Sequence, residues 1–376
     1  MSLFKLTLIT LATASLLLGQ AEVITMGLQG PQKIILTPRG NFLVTETSTA
    51  INSGRVSFVS RAGVRRSLFE GMPSGAEVTG GGGGPTAMAL RDRTLYLATG
   101  GGDIERRPAP GAPTIHNPQG ASSPISCSIL DVRLSADLDT VTGTFRLTPA
   151  LQQSLADGEA IDLDDGAGSR ARVSVLVDFP DSVPEGTGYR FCNPWGLALT
   201  PDGSTLWVSD ASMNSLNRVN TATGRWQRQM RFPALPNVGS FGGPTVDAVP
   251  TSIRLYGDQI LVSFLTGFPF SSGHARVLAV NPETRVMEPF ISNLTSAVDV
   301  LWRERPGQRP QFFALEFSVA QLATPAGPGR LLRYDSAVPT VVAGDLRAPV
   351  SLAFDPATEE LFILELSGRI LKVSAK

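Results

Sequence analysis

Apolar and polar positions along this chain fall into a unit that returns six times. Its clearest copy is Pro194–Asp210, Pro-Trp-Gly-Leu-Ala-Leu-Thr-Pro-Asp-Gly-Ser-Thr-Leu-Trp-Val-Ser-Asp, in which two apolar runs flank a Gly, Asp and Pro-rich turn. Weaker copies stand at Pro31–Glu46, Pro85–Thr99, Pro250–Phe264, Ala297–Glu316 and Pro349–Glu365, and successive starts lie 54, 109, 56, 47 and 52 residues apart. In the first run the large residues recur with period 2 (Ile34 and Leu36, Met88 and Leu90, Leu197 and Leu199, Ile253 and Leu255, Val300 and Trp302, Leu352 and Phe354), which is the mark of a strand. The alternate positions are small, among them Ala87, Ala89, Gly196, Ala198, Ser252, Ser351 and Ala353. Large on one face and small on the other suits a strand squeezed where neighbouring sheets converge. The second run is rich in β-branched and aromatic residues, as strands favour. A third strand echoes as Gly54-Arg55-Val56, Asn217-Arg218-Val219, Ala275-Arg276-Val277, Gly329-Arg330-Leu331 and Gly368-Arg369-Ile370. A fourth ends in phrases such as Glu70-Gly71-Met72, Ser292-Asn293-Leu294 and Gly344-Asp345-Leu346.

Several short strands per repeat, at a period near 50, predict an all-β fold: a six-bladed β-propeller of four-stranded blades. The last repeat has three strands, and Glu22–Leu28 is a strand without a blade. Pairing Glu22–Leu28 with Gly368–Val373 completes blade six and removes two open sheet edges. The interval of 109 residues holds either a seventh blade or an insertion. No copy of the two-strand unit lies between Gly100 and Asn193. That segment offers a Pro and Gly-rich loop (Pro108–Pro124), a strand at Ser128–Leu134, a helix around Thr148–Asp157 and a strand at Ala171–Phe179. The expectation is one propeller domain, 22–376, with an insertion in blade two over about 100–171.

Residues 1–21 differ in kind. Lys5, the apolar stretch Leu6–Leu18 and Gly19-Gln20-Ala21 have the layout of a cleavable export signal, and the apolar stretch is short for a bilayer span. The expectation is an exported protein, periplasmic or extracellular, without a transmembrane segment. Of the 376 residues 42% are hydrophobic and 17% charged, and the net charge of −1 supplies no field to recruit nucleic acid. Cys127 and Cys192 are the only cysteines; they read either as a disulfide, which export permits, or as two buried thiols.

Certain phrases resemble the ScyD/ScyE family of exported propellers, relatives of the NHL and gluconolactonase-like six-bladed folds. They are Asn193-Pro194-Trp195-Gly196-Leu197, Val208-Ser209-Asp210, Val249-Pro250-Thr251-Ser252, Leu265-Thr266-Gly267-Phe268-Pro269-Phe270 and Ala314-Leu315-Glu316. The resemblance implies fold and export and little about mechanism. This chain departs from the family pattern at Phe264, where an acidic residue usually precedes Leu-Thr-Gly.

The second strand ends in an acid in four blades, Glu46, Asp210, Glu316 and Glu365, with Thr99 and Phe264 in the others. Such a ring at one mouth of the channel reads in two ways. It can hold a hard cation such as calcium, which wants 6–8 oxygen ligands. Alternatively, each carboxylate accepts backbone N–H groups and fastens its own blade. Lys33 and Asp299, early on the first strand, join the same neighbourhood, and Phe264 would give an apolar wall beside Phe268 and Phe270. His274 follows that aromatic loop and is a further ligand candidate; His116 lies far from it in sequence. No Gly-x-Ser-x-Gly elbow occurs, Gly80–Gly84 lacks the Lys and Ser/Thr of a phosphate loop, and Asp162–Gly166 has its glycine misplaced for a calcium loop. No catalytic residue is identified. The leading expectation is a binding or scaffolding protein that takes a small amphipathic ligand or a protein partner on the loop face at the channel mouth. The alternative is a calcium-dependent hydrolase of the lactonase type, which rests on fold analogy.

Overall fold

The structure is a computed structural model that describes residues 21–109 and 112–375. The expected export signal therefore lies, apart from Ala21, outside the described residues. Six sheets of four or five strands form a six-bladed β-propeller. Their innermost strands are Pro31–Leu36, Pro85–Arg91, Pro194–Leu199, Pro250–Tyr256, Ala297–Arg303 and Pro349–Asp355, each beginning where a sequence repeat begins. Each packs on its neighbours, and the sixth returns to the first around the central channel.

Each blade interface carries one apolar cluster, as a period-2 strand with both faces buried requires. Between blades six and one, for example, Phe42 meets Phe362 edge-on at 4.8 Å, with Ile34, Val44, Leu364 and Ile370 around them. The small alternate positions are explained by proximity. A Cβ on Gly196 would stand 2.5 Å from Ser209 Oγ and 2.6 Å from the Thr251 carbonyl, so only glycine fits there.

The ring closes as expected, with a shorter closing strand. Glu22–Thr25 pairs antiparallel with Arg369–Ser374, and Leu28 donates its N–H to the Gly368 carbonyl at 3.1 Å. Glu22 also reaches Lys372 Nζ at 2.7 Å.

In the long interval, Ser128–Leu134 and Arg170–Asp178 are the third and fourth strands of blade two, so the extra sequence splits into two parts around the third strand. The second part carries Phe145–Arg146, the helix Pro149–Ala156 and Ile161–Asp164. Thr148 caps that helix by accepting the Leu151 N–H, and proline opens its first turn. Phe145–Arg146 adds a parallel fifth strand to blade one while Ile161–Asp164 adds a fifth to blade two. Phe145 stacks on Phe69 at 5.0 Å, and buried Gln152 donates to the Gly71 carbonyl at 2.8 Å. The insertion thus clamps blades one and two from outside. Among the described residues no helix is long and apolar enough to cross a membrane.

Candidate functional site

All six innermost strands share one irregularity. The ladder shifts after the first residue of each, between Pro31 and Lys33, Pro85 and Ala87, Pro194 and Gly196, Pro250 and Ile253, Ala297 and Asp299, and Pro349 and Ser351. Such a bulge takes a residue out of the ladder and re-aims its side chain. The residues released are Gln32, Thr86, Trp195, Thr251 with Ser252, Val298 and Val350. All but Thr86 and Ser252 line a cavity of about 710 Å³ at the channel mouth.

Accessory hairpins outside the blade sheets raise one side of this cavity. Gly75–Ala76 pairs with Gly82–Gly83, Glu105–Arg106 with Ile115–His116, and Ser182–Glu185 with Gly188–Phe191. They bring Glu77, Glu105, Glu185, Tyr189, Arg190 and Phe191 to the cavity. The other side is apolar, with Leu265, Val298, Phe317, Val350 and Leu366. Arg190 is held by Asp247 at 2.9 Å and donates to the Ser212 carbonyl, while Glu185 pairs with Arg231 at 2.9 Å. Burial raises Glu77 above the usual carboxylate range, and burial with the nearby Glu77 pushes Glu105 to about 7. The last hairpin is anchored at its base by a Cys127–Cys192 disulfide, whose Cα atoms are 6.1 Å apart, a distance a bridge spans.

Beneath the cavity lies an ionic cluster. Asp299 is fully buried and accepts from Arg254 at 2.9 Å, Lys33 Nζ at 3.2 Å, Ser252 Oγ at 2.5 Å, Ser351 Oγ at 3.2 Å and the Leu352 N–H at 2.9 Å. Arg254 and Lys33 hold its carboxyl well below the usual range despite burial, and burial pushes the Lys33 ammonium down to about 8. Lys33 and Asp299 do meet, as their equivalent places suggested, but they satisfy one another and do not line the cavity.

The four acids at the ends of the second strands are not gathered into one ligand set. Each is buried and engaged by its own blade. Glu46 accepts the Gln29 N–H at 2.5 Å and the Ser57 hydroxyl. Asp210 accepts the N–H groups of Asn193, Ser212 and Met213 at 3.0, 3.1 and 2.8 Å. Glu316 accepts the Thr295 N–H at 2.6 Å and the Arg330 guanidinium, and Glu365 the Arg347 N–H at 2.7 Å and Arg369 Nε at 2.6 Å. Among the described residues, three metal-type donors come within 4.8 Å of one another only at Cys127, Asp181 and Cys192, where the two sulfurs are already joined.

Phe264 requires a correction. It is 1% exposed and packs edge-on against Phe232 at 4.9 Å, inside the core between blades three and four, because its strand end faces the neighbouring blade there. Phe268 is 57% exposed and touches Phe241 and Phe270, but Phe268, Phe270 and His274 stand outside the cavity lining. Burial and Arg276 lower the pKa of His274. His116 leans edge-on against Phe191 at 5.6 Å. Gly80 serves the turn of the first hairpin, and Asp165 fastens its own loop by accepting the N–H groups of Gly143, Ala167 and Ser169.

Sequence reasoning missed the residues released by the bulges and the hairpins. The first had a signal, a polar or bulky residue immediately after five inner-strand prolines or an alanine. In Val183-Pro184-Glu185-Gly186-Thr187-Gly188-Tyr189, the glycine pair between extended residues was a hairpin signal too.

Compared with known proteins, the sequence matches no family profile and no curated protein. Solved structures share its fold at low identity. An auxiliary nutrient binding protein from Bacteroides thetaiotaomicron superposes with a TM-score of 0.50 at 10% identity, covering 93% of this chain and 69% of that one. Its counterpart from Bacteroides ovatus gives 0.50 at 10%, covering 93% and 70%. A Bacteroides thetaiotaomicron protein provisionally named a phosphatase gives 0.51 at 9%, covering 93% and 72%. At such identities the likeness is one of architecture, and the six-bladed propeller is what these proteins have in common with this chain.

Proposed function

We propose that this chain is an exported, ScyD/ScyE-like propeller that binds a small amphipathic ligand in the mouth cavity. The observation that carries the reading is the cavity itself. Its volume of about 710 Å³ falls in the range of small-molecule sites, and it is apolar on one side and polar on the other. Five of the six bulges put a side chain into the lining of this cavity. Export is supported by the leader-like start and by the disulfide that anchors a cavity wall. The family likeness rests on short phrases, of which Leu265–Phe270 is the most specific.

The test uses a neutral fluorescent probe, N-phenyl-1-naphthylamine, titrated into the purified protein. One probe per chain is expected, with a rise in melting temperature. Val350→Arg, which puts a charge on the apolar wall, should weaken binding at least tenfold, whereas Val341→Arg on the outer strand of blade five should not. A probe that binds both variants equally would refute the assignment. Chelator-sensitive turnover in a screen of lactones would replace it with the hydrolase reading.

A further inference from the structure

Five charged side chains line the cavity, and they are unequally served. Arg190 is taken by Asp247 and Glu185 by Arg231. Glu77 and Glu105 remain. Glu77 has a long contact from the Thr79 hydroxyl at 3.5 Å, and among the described residues no cation stands within ion-pair distance of either. They arrive from separate hairpins, Gly75–Gly83 and Glu105–His116, so no single turn accounts for their meeting. Asn193 also lines the cavity, and its side-chain oxygen, close to Gly100, is buried without a hydrogen-bond partner. Glu77 and Glu105 are half-buried, and carboxylates partly withdrawn from water without a cation leave acceptor capacity for a donor that enters the cavity. Tyr189, Phe191 and Trp195 stand in the same cavity and offer ring faces. Ring faces beside carboxylates attract a cation from two directions.

We infer that the ligand of this cavity is an organic cation with an apolar body, its charged nitrogen held by Glu77 and Glu105 among the aromatic rings and its tail lying against Val350 and Leu366. The inference rests on the binding reading above and specifies its ligand class. An anion would meet two uncompensated carboxylates, and a neutral ligand would leave them unserved. Arg107 lies near enough to favour the ionised form of Glu105, but burial and Glu77 outweigh it, so charge recognition strengthens toward pH 8.

The experiment compares three probes of equal tail length, octyltrimethylammonium, 1-octanol and octanoate, by calorimetry at pH 8 below their micellar concentrations. The full chain and the double variant Glu77→Gln/Glu105→Gln are titrated, with melting curves to verify folding. The wild type should bind octyltrimethylammonium at least tenfold tighter than octanoate. The double variant should lose that preference and keep its affinity for 1-octanol. Octanoate binding as tightly as the cation, or a preference that survives the double substitution, overturns the inference and leaves the cavity reading standing on 1-octanol. Binding of none of the three overturns both. Calcium chloride alone displacing octyltrimethylammonium, with the same dependence on Glu77 and Glu105, would make this a metal site and also overturn the inference.

Discussion

Asp210 places three backbone N–H groups on one oxygen, Oδ1, in a site where its carboxyl is buried. Burial raises its pKa to about 6 from 3.8, so in the folded state the charge is disfavoured. The sign follows: between about pH 4 and 6 the folded protein holds a proton that the unfolded chain has released, and stability falls as pH rises through that window. Asp210→Asn keeps Oδ1 and discards the charge. It should leave the melting temperature unchanged or higher at pH 7.5, with the advantage shrinking toward pH 4. Asp210→Ala strands three donors and should cost about 1–3 kcal/mol in denaturant titrations. If asparagine proves as damaging as alanine, the role of Asp210 lies in its second oxygen. Glu316 and Glu365 differ, since each faces an arginine across the ladder and has that guanidinium as a partner. The third-strand arginines do not by themselves reveal this, since Arg55 stands opposite Glu46 in the ladder and Asp210 faces Ser215. Phe264 could not be placed either, because whether the end of a strand faces a channel or a neighbouring blade depends on packing between blades, not on its own repeat.

At the scale of elements, what the sequence disclosed was whatever has a period. Inner strands, second strands and the closing pair carry alternation over four or more residues, and their limits agree with the repeats to within a few residues. The hairpins over the cavity have strands of two to four residues, too short for alternation to emerge. Their glycines and prolines read as loop. The bulges leave a single-residue signal, the polar or bulky residue after each opening proline or alanine, because a shift in pairing leaves the alternation beyond it untouched. The insertion in blade two is a middle case: the capped helix Pro149–Ala156 was legible from Thr148-Pro149, but its docking was not. That docking depends on Phe145, fully buried against Phe69 and joined to blade one by a parallel strand. Phe145→Ala should cost about 3–5 kcal/mol, the usual range for emptying a buried aromatic site. Urea titration measures it. A loss below 1 kcal/mol would mean that the insertion is draped on the ring and does not clamp it.

Across the whole molecule, Asp299 links four blades: its own, blade one through Lys33, blade four through Ser252 and Arg254, and blade six through Ser351 and Leu352. Asp299→Ala would leave buried Lys33 and half-buried Arg254 close together without their carboxylate, and a loss of about 3–5 kcal/mol is expected. Replacing the group together, Lys33→Met, Arg254→Met and Asp299→Leu, should recover most of it, because the isolated charges cost more than the cluster contributes. Equal losses in single and triple variants, read from denaturant midpoints, would show that shape and not charge is decisive there. The closure of blade six has a kinetic meaning. Glu22 faces Lys372, so among the described strands the earliest is paired with the last. Contacts of such sequence separation form slowly. Until Arg369–Ser374 is in place Glu22–Thr25 has no partner strand, so the ring cannot close before its sixth blade is complete.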